Sequence, residues 1–187
     1  MEVEIDSGRS HLYLFRGTNI SELCPLDLEL NHYPPIFIYN QIKHQRRDVG
    51  FYSNESIGYR YSGQLMESRK LTLELEVLLE RVNDEFEENY NGILINYYAD
   101  GNDYISAHSD DETCLGNSGV ISISIGATRT FRIRDKKDKS IVKDVKVEHG
   151  DIVWMEGDFQ KEFTHEIPVE KRVREGRWSF TFRHHKE

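Results

Sequence analysis

The chain has little cysteine and no long apolar run. Cys24 and Cys114 are its two cysteines in 187 residues, too few for a disulfide framework and without the paired spacing of a cysteine metal site. They read as reduced thiols of an intracellular protein, in the cytoplasm or nucleus. No apolar stretch reaches the roughly 20 residues that a bilayer demands, and no N-terminal apolar region marks a secretion signal, so neither a membrane nor a secreted protein is expected. Repeats, low-complexity tracts and domain linkers are also missing. Apolar residues make up 37% and charged residues 30%, yet aromatics reach 11%, enough for a packed core in a chain of this length. Positive charge is short as well: the net charge of −9 argues against a general nucleic-acid coat protein. From Arg129 onward, however, 15 Lys and Arg stand against 12 Asp and Glu, while the first 128 residues hold 9 against 21. A polyanion would meet its cations in the later part.

What is present is mostly β-patterned. Residues 11–15 read as a short strand, and 36–39 as another after the breaker at Pro34-Pro35. A basic loop follows, Lys43-His44-Gln45-Arg46-Arg47. Residues 51–63 are rich in Tyr, Gly, Ser and Asn, either a polar loop or a surface made for stacking and hydrogen bonding. One helix is expected over residues 67–90, because Leu71, Leu75, Leu78, Leu79, Val82 and Phe86 form one apolar stripe, although 71–75 also alternates as a strand would. Its other face carries Glu74, Glu80, Asp84, Glu87 and Glu88 and reads as solvated. From residue 119 onward, short alternating segments recur at 119–126, 130–134, 141–147, 151–155, 163–167 and 177–182. Many short strands after one helix point to a mainly β fold, a sandwich or jelly roll.

The chemistry gathers in the stretch 92–112, GILINYYADGNDYISAHSDDE. It opens as a strand, turns at Asp100-Gly101-Asn102-Asp103, and re-enters extended structure to reach His108-Ser109-Asp110. Residues two apart on a strand share a face, so His108 and Asp110 point the same way. They make two-thirds of the 2-His-1-carboxylate set of non-haem Fe(II) oxygenases. Alone, His-x-Asp is weak. A second histidine, His165, ends a later strand. Then come Arg177-Trp178-Ser179-Phe180-Thr181-Phe182-Arg183, where parity puts Arg177, Ser179, Thr181 and Arg183 on one face and the three aromatics on the other. Two arginines pointing inward from a core strand demand anions, and a dicarboxylate ligand would supply them.

In this order and spacing, Asn96-x-Tyr98, His108-x-Asp110, His165 and Arg177-x5-Arg183 resemble the AlkB family of Fe(II)/2-oxoglutarate dioxygenases. Tyr-x-Asp-Gly before His-x-Asp, the following Asp-Asp-Glu, and Gly-Ala-x-Arg-x-Phe at 126–131 are similar too. The resemblance covers residues 36–183. It implies a double-stranded β-helix, jelly-roll or cupin-like, over 91–187. Residues 1–90 would carry an N-terminal extension, the substrate-recognition lid and a supporting helix, all in one structural domain. It implies Fe(II), 2-oxoglutarate and O2 as cofactors, with His108, Asp110 and His165 on the iron. Arg177, assisted by Tyr98, would pair with the distal carboxylate of 2-oxoglutarate, and Arg183 and Asn96 with the end nearer the metal. Ser179 stands where the family usually has Asn. Tyr61 would stack on a flipped base, and Tyr59, Arg47, Asp111, Glu112 and Tyr39 would contact substrate.

The activity so implied is oxidative demethylation of bases such as 1-methyladenine and 3-methylcytosine in DNA or RNA, by a monomer, yielding formaldehyde, succinate and CO2. Alternatives are an RNA-specific demethylase, a 2-oxoglutarate hydroxylase of protein or small molecules, and, outside catalysis, a nucleic-acid-binding module.

Overall fold

The computed structural model describes residues 1–38, 40–61, 64–111 and 119–186, with backbone only at 59–61 and 64. In chain order the described elements begin with β1 (Glu2–Asp6), β2 (Ser10–Phe15), a 3-10 turn (Asn19–Leu23), β3 (Pro35–Ile38), β4 (Gln41–His44), β5 (Asp48–Tyr52), β6 (Gly58–Tyr61), β7 (Gln64–Glu67) and α1 (Leu73–Phe86). They continue with β8 (Gly92–Tyr98), β9 (Ile105–His108), β10 (Val120–Gly126), β11 (Arg129–Asp135), β12 (Ile141–Val147), β13 (Ile152–Gly157), α2 (Phe159–Glu162), β14 (Phe163–Ile167) and β15 (Arg177–Arg183).

Two antiparallel sheets face one another. The larger runs β1-β2-β13-β10-β15-β8-β5 and the smaller β12-β11-β14-β9, while β3-β4 and β6-β7 are separate hairpins. This is the expected jelly roll of a double-stranded β-helix, with hairpins on its N-terminal side. The large sheet draws strands from both sides of residue 90.

Strand alternation splits the large sheet into two unlike faces. Ile93 and Ile95 of β8, Ile121, Ile123 and Ile125 of β10, and Phe180 and Phe182 of β15 pack under Leu75, Leu78 and Val82 of α1. Each such side chain, fully buried, contributes roughly 1.5–3 kcal/mol. The intervening residues point between the sheets, where Leu12, Leu14, Val153 and Met155 meet Phe131, Ile133, Val145 and Ile167 of the smaller sheet. In the middle of that interface the apolar packing gives way to Asn96, Ser122, Ser124, Arg177, Ser179, Thr181 and Arg183, all buried. The Ile/Ser alternation of β10 is therefore not a core face against a wet one; the serines line a polar interior.

The helix is shorter than its apolar stripe. Thr72 caps it by accepting a hydrogen bond from the Leu75 N–H at 3.3 Å, and residues 64–67 are drawn into the β6-β7 hairpin instead. At the other end Glu87 takes the left-handed conformation, with φ of 52°, and stops the coil. The segment after residue 51 is not simply a loop. Val49, Phe51 and Tyr52 are buried and place β5 at the sheet edge beside β8, and the basic residues Lys43 and His44 lie on strand β4. β1 gives almost no periodic signal because its residues are largely exposed at the other edge.

Candidate active site

The turn after β8 aims the first ligands. Asp103 is buried; its carboxylate accepts from the Ala99 N–H at 2.9 Å and the Tyr33 hydroxyl at 2.7 Å. Gly101 passes so close to the Glu170 carbonyl that a Cβ there would sit 1.9 Å away, and Gly101 bonds to the backbone of both Glu170 and Val173. The chain is thus folded back into β9, which ends at His108. Beyond the strand, the Ser109 hydroxyl donates to the Phe163 carbonyl at 2.8 Å, and the Asp110 N–H donates to the Gln160 side chain at 2.8 Å. His165 on β14 lies directly across the ladder from His108.

His108, Asp110 and His165 come together with ligand atoms all within 4.8 Å of one another. Each imidazole presents Nε2 to Asp110, at 3.8 Å from His108 and 3.7 Å from His165. Nδ1 of His108 lies 2.8 Å from the Ser106 carbonyl, which fixes the proton there and leaves Nε2 as the lone-pair nitrogen. His165 is held by Phe131, stacked at 5.2 Å, and by His108 at 4.4 Å.

Protonation states match metal ligation. Burial, then the neighbouring His108, pushes His165 down to about 3, and burial pushes His108 down as well. Burial alone would raise Asp110, but Arg183 and the two histidines overcome it and hold the carboxyl at about 2. Two neutral imidazoles and one carboxylate are what a divalent ion requires. Asp110 Oδ2 is buried and accepts no hydrogen bond, an acceptor for which an ion is the natural partner. The residues fit one Fe(II).

Facing the triad across the cavity is the cationic floor. Arg183 donates from Nη2 to Asp110 Oδ1 at 2.5 Å. Arg177, 2% exposed, donates from Nη2 to Ser124 Oγ at 2.8 Å and lies over the Tyr98 ring at 5.5 Å, while its Nε and Nη1 find no hydrogen-bond acceptor among the described residues. Burial pushes its guanidinium down to about 10. Buried donors without acceptors are rare and costly, so the pocket calls for an anion, and a carboxylate fits a guanidinium fork. The cavity between triad and arginines, with about 450 Å³ of space that includes its opening, is lined among others by Asn96, Tyr98, Ser179 and Thr181. A small dicarboxylate fits this set.

The structure therefore brings together His108, Asp110, His165, Asn96, Tyr98, Arg177, Ser179 and Arg183. Arg47, read as part of a basic loop and as a substrate contact, is buried and donates from Nε to Asn96 Oδ1 at 2.8 Å. Asp111 is exposed at the rim and pairs with Lys136 at 2.5 Å. Tyr59 and Tyr61 fall on the β6-β7 hairpin, their side chains outside the described residues; Tyr39 and Glu112 lie outside them altogether. Arg129, the arginine of the Gly-Ala-x-Arg-x-Phe match, was given no role from sequence. This fully buried residue donates to the carbonyls of Asp100, Asp103 and Pro168 and to Glu170, stitching the turn before β9 to the loop after β14. It lies over the Tyr98 ring at 5.6 Å, so two guanidiniums contact that tyrosine. Its burial had one signal, the alternation of Arg129, Phe131 and Ile133 on one face. Gln160 had none.

Comparison with known proteins agrees with this geometry. Residues 33–183 match the 2OG-Fe(II) oxygenase superfamily. The rat alpha-ketoglutarate-dependent dioxygenase alkB homolog 3 is 39% identical over 135 residues, covering 67% of this chain and 46% of the relative. The human DNA oxidative demethylase ALKBH2 is 33% identical over 145 residues, covering 73% and 56%. The chain thus spans about half the length of these curated relatives. The solved structure of OsALKBH1 superposes with a TM-score of 0.62 at 18% identity over 92% of this chain and 97% of that one, which shows a shared fold. With a clustered His-Asp-His set opposite inward arginines, this chain belongs to the 2OG-Fe(II) oxygenase superfamily, as a member of its AlkB family.

Proposed function

We propose that this chain is a nucleic-acid oxidative demethylase that removes N-methyl groups from bases such as 1-methyladenine and 3-methylcytosine in DNA or RNA. It would act as a monomer inside the cell. The observation that carries the oxygenase part is the clustered His108-Asp110-His165 set facing Arg177, two of whose donors lack acceptors among the described residues. When bound there, Fe(II) with 2-oxoglutarate and O2 supplies the oxidation of a C–H bond, with succinate and CO2 as coproducts. The chain's own residues do the rest. Arg177 and Tyr98 hold the distal carboxylate, Arg183, Asn96 and Ser179 the nearer end, and Phe131 and Met155 wall off water. Arg47 holds Asn96 in place through its Nε–Oδ1 hydrogen bond.

The substrate part is supported by the ALKBH2 relatives, which are named DNA oxidative demethylases, and by an exposed hairpin of the N-terminal region. The β3-β4 hairpin exposes Phe37 and Ile42, opposite one another in register, next to Lys43 and His44. Apolar groups flanked by cations suit a stack of bases on a phosphate chain. Tyr61 would stack on the extruded base, with Tyr59, Tyr39, Asp111 and Glu112 around it; removal from the stack costs least for damaged or unpaired bases. No described helix is long and apolar enough to cross a membrane.

A mass-spectrometric panel tests this: methylated DNA and RNA oligonucleotides, single- and double-stranded, with Fe(II) and 2-oxoglutarate, and Asp110→Asn as control. Loss of methyl groups with matching succinate is expected from wild type and neither from the variant. Succinate without methyl loss on any oligonucleotide would sink the substrate assignment and leave the oxygenase standing. No succinate at all would sink both.

A further inference from the structure

A second cavity lies on the opposite face of the large sheet, between the end of α1, β2 and β13. Phe15, Phe86 and Trp154 wall it edge to face: Phe15 to Phe86 at 5.4 Å and 89°, Phe86 to Trp154 at 5.4 Å and 69°. Ile20 and Ile152 form its floor, and it encloses about 690 Å³, the size of a ligand-binding cleft. The aromatic surface continues along β2, where Tyr13 leans on Trp154 at 5.7 Å and His11 stacks on Tyr13 at 5.8 Å. All five rings are half-buried; alternation sends Leu12 and Leu14 inward and turns His11, Tyr13 and Phe15 to the other face of the sheet, the side of α1.

The rim of this groove is acidic. Asp84, Glu85 and Glu87 line it, at the end of a helix whose last turn has no basic residue. Arg81 neutralises Glu85 at 2.9 Å, but among the described residues Asp84 and Glu87 make no ion pair. Carboxylates at a helix C-terminus oppose its macrodipole, so a cation seated here gains from both. Aromatic faces next to carboxylates also favour ammonium and guanidinium groups. A polyanion is repelled, which separates this groove from the proposed substrate side. Trp154 and Met155 are adjacent on β13 and face opposite ways, Met155 into the catalytic cavity, so the groove stays open while the site is engaged.

We propose that this groove docks an extended arginine- or lysine-bearing segment of a partner protein, its cations over the aromatic row and against Asp84 and Glu87, its apolar side chains against Phe15 and Phe86. The probe is a synthetic nonapeptide alternating arginine with leucine, titrated into the nitrogen-15-labelled protein and followed at the Trp154 indole N–H. A saturable shift is expected, weakened roughly tenfold in Asp84→Asn/Glu87→Gln. Removing those charges relieves the helix terminus, so this variant keeps its fold. Glu74→Gln/Glu80→Gln, the same charge change at exposed positions away from the groove, should bind within twofold of wild type. The glutamine-for-arginine peptide should leave the indole unmoved. Equal weakening in both double variants would reduce the effect to net charge and overturn the proposal. So would an indole that does not move, or a dimer in sedimentation that buries Trp154, which would make a second copy the occupant.

Discussion

Arg177 separates a site built for a ligand from a buried ion pair built for stability. Its guanidinium is 2% exposed, lies over Tyr98, and leaves Nε and Nη1 without acceptors among the described residues. Burial lowers it from 12.5 to about 10. For a base the folded value is depressed, so the cost is fully present below the folded pKa and disappears only above the unfolded one; at pH 7 all of it acts. At about 1.4 kcal/mol per pH unit, the ligand-free protein carries roughly 3 kcal/mol of unfavourable free energy here. Arg177→Met removes the charge at similar volume. It forfeits the Ser124 hydrogen bond, about 1 kcal/mol, and the contact with Tyr98, about 1 kcal/mol more. The net expectation is a ligand-free protein unchanged or up to about 2 kcal/mol more stable, a melting temperature higher by up to several degrees. Wild type, by contrast, should gain about 2.7 kcal/mol from 2-oxoglutarate at a hundred times its Kd, with Mn(II) in the triad, and the variant nothing. Thermal melts with and without 2-oxoglutarate measure both. If Arg177→Met lost 3–5 kcal/mol in the ligand-free state and still responded to 2-oxoglutarate, Arg177 would be a paired structural ion and the reasoning would fail.

Two further predictions concern pH. Burial would raise Glu170, but Lys146 and both the N–H and hydroxyl of Thr130 outweigh it and hold the carboxyl at about 2. A depressed carboxylate stabilises above its unfolded pKa, so the deficit of Glu170→Gln should be full at pH 7 and close as pH falls from about 4.5 toward 2, read from urea midpoints. His185, packed on Phe51 at 4.8 Å with neither ring nitrogen partnered, is pushed down to about 4 by burial and Arg183. The unfolded chain takes up its proton first, so stability drains between about pH 6.5 and 4; His185→Leu should outlast wild type by about 1–2 kcal/mol at pH 5, and a margin as large at pH 8 would refute the assignment.

The fold was legible where one face is apolar and the other polar. The strands of 120–182 announced themselves by period two, and the inward set of β15 followed from parity alone. What escaped has a common cause. β5 is buried on both faces and so does not alternate, and β1 is exposed and has no face to bury. The helix began six residues late because capping by Thr72 and pairing of β7 prevailed over an apolar stripe that ran on past them. At the site, the His, Asp and Arg residues that line the cavity were legible from strand parity and order. Those that hold them, Arg129 and Gln160, act through backbone carbonyls and a single amide that no local pattern encodes.

The two faces of β15 also explain how such a site survives in so small a protein. Trp178, Phe180 and Phe182 pack beneath α1 or beside it, each adding kilocalories, while on the opposite face of the same strand Arg177 subtracts them. Because alternation fixes both sets at once, the apolar face locks the strand in register and forces the cations inward. The inner face is then free to be wrong for the empty protein and right for a dianion. Its instability becomes binding free energy when a carboxylate arrives, which couples loading of the cosubstrate to the stability of the whole sheet.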